Sequence, residues 1–311
     1  MLTKKTYNKY NSRFKETYIY RLGGCTGFFS EYNHMILTMA YCLIHRKRFI
    51  LMSHGANFSA GHGWTEFFEP FISENNQRLL LKFNYRDKPA RTLWDRRLFR
   101  AYMAFHPNYH LTYDFIYKEI RTIDWQQIYT IQELGFSGSA LQLCSQLDNM
   151  VWHYNETTAA IVKANIDSLR MHSNLHYIGL HIRRGDKITE HALYDIEKYM
   201  DMAQKYSNSK YVFVLTDDYL VIEDLHRKYP EYTFYTLCQP NERGYDFHNG
   251  LQKLSFEDKK ASLIRLWSSM DILTKAECFV GTYSTNPGVT LGFRMSAEKM
   301  HCLDFDNWLF W

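Results

Sequence analysis

The sequence predicts an α/β protein whose second half is built around a parallel sheet. Three observations predict it. Short apolar runs at Tyr177–Ile182, Tyr211–Leu215, Tyr232–Leu237 and Cys278–Tyr283 alternate with segments of helical period. Three of those runs stop abruptly in polar clusters, Arg183-Arg184-Gly185-Asp186-Lys187, Thr216-Asp217-Asp218 and Ser284-Thr285-Asn286. The chain of 311 residues is 46% hydrophobic, enough for one large domain or two.

Taken in order, the polar N-terminus M-L-T-K-K-T-Y-N-K-Y has no apolar core behind it, so no secretory signal is expected. The glycine cluster Gly23-Gly24-Cys25-Thr26-Gly27 lacks G-x-G-x-x-G spacing and reads as a turn. Met35 to Ile44 is apolar for ten residues and ends at His45-Arg46-Lys47-Arg48, a buried helix too short to span a bilayer. A short strand, Phe49–Met52, follows. Residues 60–110 hold many aromatics without a clear period and read as irregular. Two helical patterns then run from Ser139 to His172, and the junction near Asn155-Glu156-Thr157 divides the chain into 1–155 and 156–311.

In the second half, Tyr177–Ile182 leads to a helix near Asp195–Tyr206. Tyr211–Leu215 precedes a helix through Arg227, and a long amphipathic helix covers Phe256–Ala276 before Cys278–Tyr283. This β-α-β series argues for parallel pairing.

Composition excludes several classes. A net charge of +4 is too small to indicate a nucleic-acid binder by field strength. Six scattered cysteines show no C-x-x-C pair, and the fourteen histidines show no H-E-x-x-H, so neither a disulfide framework nor a metal centre is expected. A cytoplasmic protein without a transmembrane segment follows as the expectation, with peripheral membrane contact left open.

Parallel strands carry ligands beyond their carboxyl ends, so the three polar clusters should converge on one sheet edge. Arg183 and Arg184 offer planar donor forks suited to phosphate, with Lys187 adding a third cation. Ser284, Thr285 or Asn286 could cap a helix that has Pro287 at its first position, and such a helix start is itself an anion site. A plain salt-bridged turn and a plain helix cap are the alternatives. Asp217 and Asp218 could hold a divalent cation, accept hydrogen bonds from a sugar or from the arginines, or cap the next helix; the cations already present favour a role without metal.

The motifs H-I-R-R-G-D-K with a Glu soon after, E-K-Y-M, V-L-T-D-D, K-Y-P-E-Y-T-F, G-T-Y-S-T-N and H-C-L-D-F-D occur in order between Ile178 and Asp306. Together they resemble the eukaryotic α-1,6-fucosyltransferase family and its rhizobial nodulation relatives. Gly63-Trp64 with Phe68 and Pro70, and His34 ahead of an apolar helix, extend the likeness faintly to about residue 21.

The resemblance implies a GT-B-like fold, two Rossmann-like lobes facing across a cleft, with residues 1–155 on the acceptor side and residues 156–311 holding the donor. It implies inverting, metal-independent transfer of fucose from GDP-fucose to a hydroxyl of an oligosaccharide or glycoconjugate, with no cofactor. Arg183 would grip the β-phosphate beside Arg184, Asp186 and Lys187. His181 would face guanine through its backbone, Ser284, Thr285 and Asn286 would lie near the diphosphate, and Asp217, Asp218 and Tyr199 complete the donor set. Glu190 would be the general base with Lys187 as its charged neighbour. The loop is one residue shorter here, which makes Asp186 the rival base. Gly185 stands where the family pattern has threonine, which implies a more flexible loop, and Asp271 is the nearest carboxylate to the guanine-reading position at Ser269. A metal-dependent hexosyltransferase using Asp217 and Asp218, and a nucleotide-sugar or glycan-binding module without turnover, are the competing functions. The aromatics of residues 55–135 are candidates to stack on acceptor sugars.

Overall fold

A computed structural model describes residues 2–24, 26–85, 92–185, 193–244 and 254–308. The chain divides into two compact units, Met1–Asn155 and Glu156–Trp311.

The first unit runs α1 (Lys4–Asn11), β1 (Thr17–Arg21), α2 (Phe28–Ile44), β2 (Arg48–Met52), α3 (Arg78–Phe83), α4 (Leu93–Phe105), β3 (Tyr109–Leu111), α5 (Thr112–Phe115), β4 (Ile128–Ile131), β5 (Phe136–Ser139) and α6 (Ala140–Val151). Strands β2-β1-β3 form a three-stranded parallel sheet, and β4 pairs with β5 as an antiparallel ribbon. Strand β1 is absent from the sequence reading. Residues 60–110 are not irregular either: they supply a 3-10 turn at Gly63–Glu66, then α3, α4 and the start of β3. Helix α2 starts seven residues ahead of the apolar run, at Phe28, and buries nearly all of its surface.

The aromatics near residue 64 belong to the interior. Trp64 stacks on Phe68 with ring centroids 4.1 Å apart, and its indole N–H donates to the Glu69 carbonyl at 3.0 Å. Trp64, Phe67, Phe68 and Phe71 are all buried, so they form core and offer no face to a sugar. Gly63 starts this turn at φ +60°, with Ser53 so close that a Cβ would lie 2.1 Å from its hydroxyl.

The second unit contains α7 (Glu156–Ser168), β6 (Ile178–Ile182), α8 (Ile196–Tyr206), β7 (Tyr211–Thr216), α9 (Leu220–Lys228), β8 (Thr233–Tyr235), α10 (Phe256–Thr274), β9 (Cys278–Gly281), α11 (Asn286–Arg294) and β10 (Met300–Cys302). The five strands pair in parallel in the order β10-β9-β6-β7-β8. Central strands covered on both faces have no solvated side, which is why β6, β7 and β9 read as unbroken apolar runs. On one face, Ile196, Tyr199, Met200 and Ala203 of α8 and Val221, Ile222 and Leu225 of α9 pack against β6 and β7. Gly179 lets α10 close on β6, since a Cβ there would stand 2.8 Å from Leu273.

Candidate active site at the strand ends of the second unit

The register pairs Ile182 with Thr216, so the turns after β6 and β7 leave the sheet side by side. Arg183 and Asp217 use that proximity. The Arg183 guanidinium donates from Nη1 to Asp217 Oδ2, and Asp217 Oδ1 accepts the Arg184 backbone N–H at 2.7 Å. Both carboxylate oxygens are therefore engaged by the arginine turn. A guanidinium is a rigid planar fork, so anchoring it at Nη1 sets the direction in which the whole group points.

Arg184 has another task. Its Nη1 donates to the Tyr194 carbonyl at 2.9 Å, joining the turn after β6 to the approach of α8. Asp218 serves α9: its Oδ1 accepts from Leu220 N at 3.0 Å, and its backbone bridges to Arg243. The loop 239–244 packs along this turn through Tyr219 N to Glu242 O at 3.0 Å and Gly244 N to Asp217 O at 2.8 Å. Glu242 in turn pairs with Arg265 of α10 at 2.7 Å.

Gly185 adopts φ +53°, the left-handed region that favours glycine, and Gly244 at φ +89° lies against it. A Cβ on Gly244 would be 2.8 Å from the Gly185 Cα. The glycine at 185 thus meets a conformational demand, and the packing demand falls on Gly244.

At the third strand end, Thr285 is the N-cap of α11, and its hydroxyl accepts from Gly288 N at 3.2 Å. Asn286 is the first helical residue, which places Pro287 second rather than first. Thr285 also donates to the Thr282 carbonyl at 2.9 Å and lies 3.4 Å from His181 Nδ1, linking the ends of β6 and β9. His181 is only 3% exposed. Burial, with Arg183 nearby, pushes its imidazole down to about 3, so the ring is neutral at physiological pH.

Asp304, unassigned in the sequence reading, organises the loop before that helix. Its two carboxylate oxygens accept the backbone N–H groups of Tyr283 and Ser284 at 2.9 and 2.8 Å. The available signal was its place just after the apolar segment that becomes β10, the same logic that singled out Asp217.

The structure brings His181, Arg183, Arg184, Asp217, Asp218, Ser284, Thr285 and Asn286 to one edge of the sheet. Tyr199 sits in the core at 3% exposure, its hydroxyl pushed up to about 12 by burial, with Arg184 and Asp304 among the charges it senses. Asp271 is not gathered with them. It lies three residues from the end of α10, the end that returns to the start of β9, and it pairs with Arg294 of α11 at 4.0 Å. Asp186, Lys187 and Glu190 lie outside the described residues. Among the described residues, no three His, Cys, Asp or Glu side chains gather as a metal-binding group.

Against known proteins, the model of the α-(1,6)-fucosyltransferase N- and catalytic domains matches residues 126–285. An α-(1,6)-fucosyltransferase of Drosophila melanogaster is 37% identical over 65 residues, 18% of this chain and 10% of the fly protein's length. The chain thus corresponds to a small part of that relative. The fucosyltransferase NodZ from Bradyrhizobium superposes with a TM-score of 0.55 at 12% identity, covering 90% of this chain and 93% of that one. NodZ α-1,6-fucosyltransferase soaked with GDP-fucose gives 0.53 at 12% identity, with the same coverage. At such identity the two structures speak for the fold, which is GT-B-like. The family model takes in just over half of the 311 residues, from β4 to the cap of α11, and the chain belongs to the α-(1,6)-fucosyltransferase family.

Proposed function

We propose that this chain is an inverting fucosyltransferase that moves fucose from GDP-fucose to a hydroxyl of a glycan acceptor, with the donor held by residues 156–311 and the acceptor by residues 1–155. One observation carries the reading: within a chain of this family, the arginine turn after β6, the Asp217 turn after β7 and the capped start of α11 meet at one sheet edge. That edge suits a diphosphate, which takes charge-assisted hydrogen bonds from guanidinium groups and from a helix start. NodZ, which shares the fold, has been soaked with GDP-fucose.

The reaction is a single in-line displacement. An acceptor oxygen attacks the anomeric carbon of fucose, the bond from that carbon to the β-phosphate oxygen breaks, and GDP leaves with the electron pair. The acceptor proton passes to a carboxylate, for which the motif position favours Glu190, with Lys187 beside it and Asp186 as the rival. Negative charge grows on the departing diphosphate, and Arg183, prepositioned by Asp217, and the start of α11 stabilise that charge more in the transition state than in the ground state. These groups do the neutralising that a divalent cation performs elsewhere. Asp217 spends both oxygens on the arginine turn and Asp218 Oδ1 accepts the Leu220 N–H at the start of α9, which speaks against the metal-holding alternative.

A panel of nucleotide sugars tests the donor. GDP-fucose and GDP should raise the unfolding temperature, whereas UDP- and CMP-linked sugars should not. GDP release from GDP-fucose on addition of a glycan acceptor should persist in excess chelator. Stabilisation by UDP-sugars alone, or loss of turnover on chelation that only a divalent cation restores, would sink the proposal.

A further inference from the structure

Helix α4 contributes no fully buried residue to the first unit, although thirteen residues long. Its inner side is settled: Phe99, Tyr102 and Met103 pack half-buried against a cluster that includes Leu80 and Phe83, and Asp95 pairs with Lys82 at 2.6 Å. A second apolar stripe points elsewhere. Trp94, Leu98, Ala101 and Phe105 recur at i, i+4, i+7 and i+11, which is one side of an α-helix. Trp94 is 78% exposed, Leu98 47% and Phe105 84%, and Leu93 at the helix start is 76% exposed.

Arginines border this stripe. Arg97 and, beside it, Arg100 are exposed on one flank, and the Arg97 guanidinium carbon stands 5.6 Å from the centroid of the Trp94 ring. The single acid of the helix, Asp95, is turned to Lys82 on the packed side. The outward surface is therefore apolar and cationic together.

Large aromatic side chains aligned in water are uncommon on a chain that meets nothing. The arginine border selects an anionic partner. Pairing of this face with itself in a second copy would bring the arginines of both copies together, at a Coulombic cost. Indole and guanidinium groups both favour the headgroup region of a bilayer, where the apolar part is buried and the polar part stays wet.

We propose that α4 is an interfacial helix that seats residues 1–155 on an anionic lipid surface, with Trp94, Leu98 and Phe105 entering the headgroup boundary and Arg97 and Arg100 meeting lipid phosphates. The contact runs along the surface, and among the described residues no helix is long and apolar enough to cross a membrane. Because the inner side already packs on its own unit, the helix is formed before it meets lipid and little ordering cost is added on binding. This inference does not depend on the transferase reading.

Co-sedimentation of the full chain with vesicles tests it. Vesicles of phosphatidylcholine with a quarter phosphatidylglycerol should pull down the protein at low salt, and pure phosphatidylcholine should bind roughly tenfold more weakly. The double variant Trp94→Ser with Phe105→Ser, and separately Arg97→Glu with Arg100→Glu, should each lose most of the bound fraction while keeping the thermal unfolding of the parent. Requiring two independent variants guards against a single misfolded one. The proposal is overturned if the parent ignores anionic vesicles, if both variants bind like the parent, or if the parent sediments as a dimer that Trp94→Ser dissociates.

Discussion

At the scale of single residues, the site is a set of side chains that hold one another. Arg183→Ala should weaken GDP binding by about one to two orders of magnitude, the worth of charge-assisted hydrogen bonds lost, as read by titration calorimetry. Glu190→Gln should leave that affinity nearly intact while turnover drops ~10²–10⁴-fold; unchanged turnover would remove Glu190 from the role of base. His181 gives a pH prediction. Its folded value of about 3 lies below the ordinary 6.5, so the unfolded chain binds the extra proton between those values. The stabilisation is complete above about pH 6.5 and fades as the pH falls toward 3. Urea midpoints should decline across that window, and in His181→Gln the part of the slope due to this imidazole should vanish. The Arg183 turn was legible as a charged strand end because a burst of charge follows an apolar strand. Asp217 as its partner was not separable from metal or sugar readings, because the pairing depends on the Ile182–Thr216 register, which chain order does not display. Asp304 was missed because its partners are backbone amides, which leave no mark on side-chain identity.

Among elements, α11 is the most constrained by its start. Thr285→Ala removes the cap and should cost about 1 kcal/mol in stability. Gly288→Ala should cost more, because a Cβ there would lie 1.9 Å from the Thr282 carbonyl oxygen and the helix would have to withdraw from the loop. Chemical denaturation of the two variants should rank them in that order, and an equal loss would show that the loop yields freely. The helices and buried strands of the second unit were readable to within a few residues, since parallel strands covered on both faces give uninterrupted apolar runs. The first unit was harder. Strand β1, T-Y-I-Y-R, is carried by tyrosines and a threonine, and its inward residues resemble a polar-tipped loop in the chain alone. Helix α4 has apolar residues on two sides, Phe99 and Met103 inward and Trp94 and Leu98 outward, so no single face stood out.

For the whole molecule, ligand binding and stability should be linked. At one hundred times its dissociation constant, a ligand that binds only the folded form adds about 2.7 kcal/mol, which for units of this size is a rise of roughly 8 °C in the unfolding temperature. GDP at that concentration should produce the full rise in the parent and half of it or less in Arg183→Ala, whose affinity is weaker by about one to two orders of magnitude. The α/β class and the parallel sheet were legible in the alternation of elements, whereas the use of the residue 64–71 aromatics was not, because core rings and sugar-stacking rings have the same composition. The five-stranded sheet closes on each side with a strand of only three residues, β8 and β10. Sheet borders this brief present few unpaired amide and carbonyl groups to another chain. The second unit should therefore resist fibrillar growth through its borders even at high concentration, and any precipitation on heating should follow global unfolding rather than precede it.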